Sequence, residues 1–273
     1  EVLGRRRRDG KVLGLMDREE VNRASSAVEA RFLWNIGEKL PVHRRYDSRY
    51  EDSSGWEGKH EIMKILVLGG TRFFGVHLVN TLLLQGHEVA VATRGNAKPR
   101  FIAPVEAIRV DRIQEESMRA VFSGREFDVV YDDLAYCSND AKNALEPVRC
   151  RRYIMVSSIS VYELKENTRE TDYDPYRETL IWGKRSAFDY GMGKRQAEAA
   201  LVQAFPEQES VMVRFPVVLG RDDYTERLRF YAAHTAQGIA MQVENENCPV
   251  SFISAEECGR FLAFLAASSL EGP

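Results

Sequence analysis

The sequence lacks a long apolar segment. No apolar run approaches the roughly 20 residues that a transmembrane helix requires, and none follows the arginines at residues 5–8 as in a secretory signal peptide. Charge of one sign is not in excess either, because 38 basic residues oppose 41 acidic ones and the formal net charge is −3. This balance argues against nucleic acid or an anionic membrane as a partner, and we expect a cytoplasmic protein.

Metal-ligating side chains are few and scattered. The four cysteines form no C-x-x-C pair, so we expect free thiols in a reducing compartment rather than disulfides. No two of the five histidines stand at ligand spacing alongside a carboxylate. The sequence therefore predicts no metal site. The residues concerned are Cys137, Cys150, Cys248, Cys258, His43, His60, His77, His87 and His234.

Residues 1–62 differ in composition from the rest of the chain. They are rich in charged residues and serine, with few apolar positions in any steady period. Such a composition does not support a packed core. Met63 then comes directly before an apolar run, KILVLGG. We expect residues 1–62 to be a disordered or non-native extension, with the globular part beginning near Met63.

From Met63 onward, strand-like and helical patterns alternate. Continuous apolar runs are typical of parallel strands that are covered on both faces. The alternation therefore predicts an α/β fold with a Rossmann-type doubly wound parallel sheet. Strands are predicted at 64–70, 87–94, 107–110, 127–135, 152–158 and 211–220, and helices at 74–85, 115–122, 140–148, 190–205 and 256–267.

The stretch LVLGGTRFFG (66–75) joins the first predicted strand to the first helix. At such a junction, backbone N–H groups and a helix N-terminus can bind a pyrophosphate. Gly69 lets the chain turn sharply, and Gly75 lets the helix pack closely on the sheet. Arg72 stands where such turns usually have their second glycine. The flanking strand and helix favour a dinucleotide-binding turn over a purely structural one.

The ends of the second and third strands bear on the type of dinucleotide. An NAD site usually has an acidic residue after the second strand for the ribose hydroxyls, but this strand ends in ATRG (92–95). Arg94 could meet the 2′-phosphate of NADP or stack on adenine; a solvated loop arginine is the alternative. Asp111 could accept a hydrogen bond from the adenine amino group. The cofactor is therefore predicted as NAD or NADP, with a slight preference for NADP.

A second group of residues follows the fifth predicted strand. Tyr190 and Lys194 are four residues apart at a helix start, so their side chains share one face. A tyrosine has a reference pKa near 10, and a nearby cation favours its phenolate. Ser158 could hydrogen-bond the substrate oxygen at which Tyr190 exchanges a proton. Ser158, Tyr190 and Lys194 are therefore the candidate catalytic residues.

Several motifs together resemble the extended short-chain dehydrogenases/reductases, in the NAD-dependent epimerase/dehydratase family that includes UDP-glucose 4-epimerase. They are GGTRFFG (69–75), SSISVY (157–162), YGMGK (190–194), RFPVVLG (214–220) and VSFISAEECGRFL (250–262). The resemblance implies the same catalytic residues. With the two strand-end residues above, the predicted cofactor-binding set is Gly69, Gly70, Thr71, Arg72, Phe73, Phe74, Gly75, Arg94, Asp111, Leu134, Ala135, Tyr136, Pro216 and Val217.

The resemblance also implies a domain organisation. Residues 63–180 would form the NAD(P)-binding Rossmann domain. Residues 181–273 would hold the catalytic helix, the last strands of the sheet and an incomplete substrate domain. Because the family continues beyond the equivalent of Pro273, we expect about 50 to 80 further residues on the substrate side.

The implied function is epimerisation or reduction of a nucleotide sugar or a related carbonyl or alcohol, by tyrosine-assisted hydride transfer. The small-molecule substrate is the expected partner, and relatives often form homodimers through the helix that carries Tyr190. Ile159-Ser160 replaces the Asp-Glu of the sugar dehydratases, which argues against dehydration. The TRFFG variant also resembles chloroplast stem-loop RNA-binding proteins of the same fold. A non-catalytic RNA-binding or cofactor-sensing protein is therefore the alternative, although no clustered basic stripe supports nucleic-acid binding.

Overall fold

The computed structural model describes residues 61–165, 167–242 and 250–273. The predicted extension at 1–62 lies outside the described residues except for its last two. The chain divides into two compact units. The larger unit is His60–Tyr224 with Pro249–Pro273, and the smaller is Glu1–Lys59 with Thr225–Cys248.

The larger unit contains a six-stranded sheet, and every strand in it is parallel to its neighbours. Its strands are β1 (Lys64–Leu68), β2 (Glu88–Thr93), β3 (Glu106–Arg109), β4 (Glu126–Asp132), β5 (Arg149–Ser158) and β6 (Glu209–Phe215). Their order is β3-β2-β1-β4-β5-β6, so the direction of winding reverses between β1 and β4. Such a reversal opens a crevice at the carboxyl ends of the strands. The predicted doubly wound parallel sheet is confirmed.

Helices cover both faces of this sheet. Because side chains alternate along a strand, Ile65 and Val67 belong to one core and Leu66 and Leu68 to the other. Both sets are buried, which explains the continuous apolar runs of the sequence. The helices of the larger unit are α1 (Phe74–Leu84), α2 (Glu115–Phe122), α3 (Ser138–Leu145) and α4 (Tyr190–Ala204), followed near the chain end by Ala255–Leu265.

Two sequence predictions need correction here. The predicted strand 211–220 is broken at Pro216, which has no N–H to donate to a sheet ladder. Beyond it, β7 (Val217–Leu219) pairs instead with β8 (Phe252–Ser254) in a separate two-stranded sheet. The third helix is shifted, since α3 begins two residues before the predicted start at Asp140.

The described part of the smaller unit contains one helix, α5 (Arg227–Ala236). No helix was predicted there from the sequence. Its N-cap, Glu226, has a left-handed backbone and no side-chain capping bond, so the usual start signal is missing. In the larger unit, α6 (Ala255–Leu265) does carry such a signal, since Ser254 and Glu257 form a capping box.

Two features are absent from the described residues. None of their helices is long and apolar enough to cross a membrane. They also contain no cluster of three or more ligating side chains placed to hold a metal ion. Cys137, Cys150 and Cys258 are free thiols, and Cys248 lies outside the described ranges.

Candidate active site

The glycine-rich turn brings the start of α1 close to the end of β1. Gly69 has φ +116°, a conformation that residues with a Cβ rarely adopt. A Cβ on Gly75 would lie 2.7 Å from the Cα of Gly70, so α1 can begin this close only with glycine at 75. The N-terminus of α1, the positive end of the helix, lies at the carboxyl edge of the sheet, although the amides of Gly75 and Val76 bond back to the carbonyls of Arg72 and Phe73. The arrangement is a cradle suited to phosphate.

Arg72 occupies the position of the middle glycine without a strained backbone. The described non-glycine residues with positive φ are Phe73, Asn167 and Glu226, so Arg72 does not need the conformational freedom of glycine. Its side chain is exposed, and its guanidinium lies 5.1 Å from the centre of the Tyr224 ring. The arginine is therefore compatible with the turn and places a cation beside it.

A cavity of about 390 Å³ opens at this turn, at the carboxyl ends of β1, β2 and β4. Clefts that hold small ligands have volumes in this range. Most of the predicted cofactor-binding residues line it, namely Gly69, Gly70, Thr71, Arg72, Phe73, Phe74, Arg94, Asp111, Leu134 and Tyr136.

The remaining members of the predicted set lie elsewhere. Gly75 packs beneath the turn, against Gly70 and Asp133. Ala135 is buried, and its carbonyl accepts a hydrogen bond from Lys194. Pro216 and Val217 form the junction between β6 and β7 and do not line this cavity.

Arg185 lines the same cavity, and it is not among the residues predicted from the sequence. Its Nε donates to Asp140 Oδ2 and its Nη2 donates to the carbonyl of Leu134, both at 2.8 Å. Its guanidinium also lies 4.6 Å from the centre of the Tyr136 ring. Arg185 begins a short 3-10 helix before α4. Because these partners are distant from it along the chain, no local pattern marks it.

Asp133 was also missed, although two adjacent acidic residues at a strand end are a visible signal. The side chain is buried beneath the glycine turn, and its Oδ2 accepts a hydrogen bond from Gly70 N at 3.2 Å. Its Oδ1 is buried and has no hydrogen-bond partner among the described residues. Burial, and then the charge of Asp132, raise the pKa of Asp133 to about 7.

The neighbouring Asp132 is fully paired. It accepts hydrogen bonds from both terminal nitrogens of Arg112 and, at 2.5 Å, from the hydroxyl of Tyr153. Arg112 also donates to the carbonyl of Asp140 at 2.7 Å. These bonds tie the end of β4 to the start of α3. The segment 134–136, which runs along the cavity, is thereby held in place.

The structure brings Tyr190 and Lys194 to one face of α4. Tyr190, the first residue of the helix, is 53% exposed and therefore accessible to a substrate. Lys194 is buried, and its Nζ donates to the carbonyls of Ala135 and Val156, each at 2.7 Å. The same Nζ lies 5.9 Å from the centre of the Tyr190 ring.

Ser158 is at the end of β5, where the sequence predicted it. Its Oγ donates to Ser160 Oγ at 3.1 Å and accepts from Ser160 N at 3.2 Å. Among the described contacts there is no direct hydrogen bond between Ser158 and Tyr190. The serine thus lies near the start of α4 with its hydroxyl directed to Ser160.

Tyr136 links the cavity to the catalytic candidates. It lines the cavity, and its ring centre lies 4.5 Å from Lys194 Nζ and 6.1 Å from that of Tyr190. Burial raises the pKa of Tyr136 to about 12, so its hydroxyl stays protonated at neutral pH. Burial lowers the pKa of Lys194 to about 8, because a low-dielectric site disfavours the ammonium. Lys194 is still mainly cationic at pH 7.

A buried ion pair supports the other side of α4. Arg214 on β6 makes hydrogen bonds to both carboxylate oxygens of Glu198, the shortest at 2.6 Å. Ser157, next to Ser158, donates to Glu198 Oε1 at 2.5 Å. Arg214 also donates to the Tyr162 hydroxyl at 3.0 Å. The pair therefore joins α4, β5, β6 and the segment after Ser158.

Known proteins share this architecture. Residues 65–150 match the NAD dependent epimerase/dehydratase family. The UDP-glucose 4-epimerase of Thermus thermophilus, solved in complex with NAD, superposes with a TM-score of 0.57 at 21% identity. The match covers 77% of this chain and 76% of that one. The described chain shares the fold of that solved structure, and the family match extends over residues 65–150. The resemblance to extended short-chain dehydrogenases/reductases is confirmed.

Two curated proteins are also similar to this chain. The chloroplast stem-loop binding protein of 41 kDa b from Arabidopsis thaliana is 28% identical over 158 residues, covering 51% of this chain and 42% of that protein. The 2′-dehydrokanamycin reductase of Streptomyces kanamyceticus is 25% identical over 218 residues, covering 77% and 60%. The chain thus spans about half the length of these relatives.

The residues that line the crevice fit a dinucleotide. The Gly75 position leaves room that a Cβ would fill, and helix N–H groups adjoin it. Arg72 and Arg94 add exposed cations on the lining, which suits a ligand with two or three phosphates. The buried, unpartnered Oδ1 of Asp133 marks a polar position on the same lining.

Proposed function

We propose that this chain contains the NAD(P)-binding and catalytic residues of an epimerase or reductase. Its substrate would be a nucleotide sugar or a related carbonyl or alcohol, with epimerisation through a transient ketone as the first choice and ketone reduction as the second. The observation that carries the proposal is the position of Tyr136. Tyr136 lines the cavity that fits a dinucleotide, and its ring contacts Lys194 and lies beside the ring of Tyr190.

The cavity residues would hold the dinucleotide in a defined direction. The amides between Gly70 and Gly75, at the start of α1, would bind the diphosphate. Arg94 and Asp111, after β2 and β3, would meet the adenosine end. Leu134 and Tyr136 would direct the other end towards α4. The fit is to NAD or NADP, and the exposed Arg72 and Arg94 favour the extra phosphate of NADP.

The residues on α4 would carry the proton transfer. When bound, the nicotinamide accepts or delivers the hydride. As a substrate C–OH is oxidised, Tyr190 in its phenolate form takes the hydroxyl proton. The Lys194 ammonium stabilises that phenolate through space. Ser158, turning from Ser160, hydrogen-bonds the same oxygen. For reduction, Tyr190 returns the proton to the oxygen of the ketone.

Replacing Tyr190 with Phe tests the mechanism. The phenol supplies the proton, so Y190F should lower turnover by about 10²–10⁴-fold, with little change in dinucleotide affinity. We would first measure NAD(H) and NADP(H) binding, then turnover with UDP-glucose, UDP-galactose and small ketones. The matched control is Y176F, which removes a hydroxyl from an exposed tyrosine before α4. Unchanged turnover in Y190F, on any substrate that the wild-type chain converts, would show the mechanism to be wrong.

A second candidate function is RNA binding on the same fold. The similarity to the chloroplast stem-loop binding protein supports it, and Arg72, Arg94 and Arg185 give the cavity a cationic rim. Titration with a stem-loop RNA separates the two candidates. Tight RNA binding without dinucleotide binding would favour this second function. Dinucleotide binding with Tyr190-dependent turnover favours the enzyme.

A further inference from the structure

Asp133 is a buried acid directly beneath the glycine turn. A Cβ built on Gly69 would lie 3.0 Å from its Cβ, and one built on Gly75 would lie 2.8 Å from its Oδ2. Oδ2 is used by the amide of Gly70. Oδ1 has no partner in the described part of the chain, although Asp133 lines the cavity. A buried oxygen without a hydrogen bond raises the free energy of the folded chain. A ligand, a solvent molecule or a proton on this atom would remove that penalty.

An ionised Asp133 would oppose the ligand that the turn is shaped to hold. The amides of the turn and of α1 attract phosphate, whereas a carboxylate beneath them repels it, and more strongly where water is excluded. A protonated carboxyl has no charge and can donate a hydrogen bond from Oδ1. The neutral form therefore suits an anionic ligand at this position.

Among the described residues, no cation forms an ion pair with Asp133. Asp132 adds a second negative charge, while Lys194 and Arg112 contribute positive ones. Arg112 is committed to Asp132 and Lys194 to two backbone carbonyls. The other titratable groups facing Asp133 are Tyr131, Tyr136 and, from α6, Cys258, and burial raises the pKa of each. These three are neutral at pH 7.

We propose that Asp133 binds the dinucleotide in its protonated form, with the proton on Oδ1, so that cofactor binding takes up a proton at neutral pH. The inference rests on the proposed function, because it requires a dinucleotide in this cavity. It adds to that function a residue which sets cofactor affinity according to pH.

The direction of the pH effect follows from the raised pKa. In the free chain, Asp133 is mainly neutral at pH 6 and mainly ionised at pH 8, since its pKa is about 7. If only the neutral form binds, affinity falls as pH rises through that value. The Kd for NAD should then increase about tenfold between pH 6 and pH 8. The dependence should flatten below pH 6.

Calorimetry on the unaltered chain tests this directly. NAD is the probe, because the 2′-phosphate of NADP is a monoester phosphate that itself titrates near pH 6. Titrations in two buffers of different ionisation enthalpy give the number of protons taken up. We expect close to one proton at pH 8 and about 0.1 at pH 6.

The variant D133N keeps the shape of the side chain and removes the titration. It should bind NAD at pH 8 about tenfold more tightly than the wild-type chain. The pKa of Lys194 is about 8, so its deprotonation leaves at most about a twofold change up to pH 8. The control is D111N, which removes a half-buried carboxylate from the same cavity. It should shift the Kd by the same factor at every pH.

The outcomes are distinguishable. Proton uptake by the wild-type chain with a flat profile in D133N supports the inference. Equal wild-type affinity at pH 6 and pH 8 without proton uptake overturns it and leaves the proposed function intact, as does D133N with the wild-type slope. If D133N does not fold, the proton uptake of the wild-type chain decides the question. Failure of NAD to bind at any pH would overturn this inference, and failure of both NAD and NADP would overturn the proposed function as well.

Discussion

Arg72 shows how a single side chain can depart from a motif without damaging the site. The middle position of a glycine-rich turn needs either positive φ or a close approach of backbone to ligand. At Arg72 φ is not positive, and the side chain extends outward over Tyr224. The substitution therefore changes the charge at the crevice more than its shape. Its effect should be on cofactor choice rather than folding.

Changing Arg72 to Gly should weaken NADP binding more than NAD binding. A hydrogen bond to a charged phosphate contributes about 1.5–3 kcal/mol, so the Kd for NADP should rise by roughly tenfold or more. NAD affinity should change little. Fluorescence titration with both dinucleotides measures the difference. R100G, which removes an exposed arginine outside the cavity, serves as the control. Equal losses for both dinucleotides would mean that Arg72 does not contact the 2′-phosphate.

The start of α4 shows why an element can need glycine inside a helix. A Cβ on Gly193 would lie 2.3 Å from the carbonyl oxygen of Tyr136, and one on Gly191 would lie 2.7 Å from that of Ser160. These contacts are with backbone, which cannot turn away as a side chain can. The glycines therefore let α4 lie directly against the segments that carry Tyr136 and Ser160. This close packing brings Lys194 within reach of Ala135.

The variant G193A should separate α4 from the 134–136 segment. We expect a loss of about 1–3 kcal/mol in unfolding free energy from overpacking, together with a large fall in turnover because Lys194 moves away from Ala135. The control is G86A, where the added Cβ meets nothing within 4 Å but φ is +83°. Backbone strain there costs about 1–2 kcal/mol and should leave turnover unchanged. Wild-type turnover in G193A would contradict this account.

At the level of the whole larger unit, the sheet separates two cores. One contains side chains of α1 and α6, including Leu262, and the other contains side chains of α2 and α4, including Leu201. The packing of α6 against α1 joins segments far apart in the chain. A residue on α6 should therefore affect the stability of the whole sheet. The distance of α6 from the sheet strands along the sequence does not reduce this effect on stability.

Leu262 and Leu84 are a matched pair of leucines for testing whether α6 contributes to the stability of the larger unit. Leu262 is fully buried, whereas Leu84, at the end of α1, is 77% exposed. L262A should lower the unfolding free energy by about 2–5 kcal/mol, because it leaves a cavity. L84A should change it by about 0.5 kcal/mol or less. Urea unfolding followed by circular dichroism measures both. Similar losses in the two variants would show that α6 is not part of the cooperative core.

The sequence predicted the main elements well because their signals are local. Apolar runs marked the strands, and helical periodicity marked α1, α2 and α4. Prediction failed where a distant partner controls the geometry. Pro216 broke a strand whose continuation pairs with β8, more than thirty residues further along the chain. The helix α5 has no capping side chain at Glu226 to announce it.

The candidate site, too, could be predicted from the sequence only where its geometry is local. The types and spacings of Gly69, Gly75, Ser158, Tyr190 and Lys194 follow from the sequence, because a tight turn and one helical face are local geometry. Parallel strands then brought their carboxyl ends to one edge. Only the folded structure shows how burial changes the pKa values of the site residues. Desolvation raises the pKa of Asp133 and lowers that of Lys194, and it depends on how closely α4, α6 and the glycine turn pack around them.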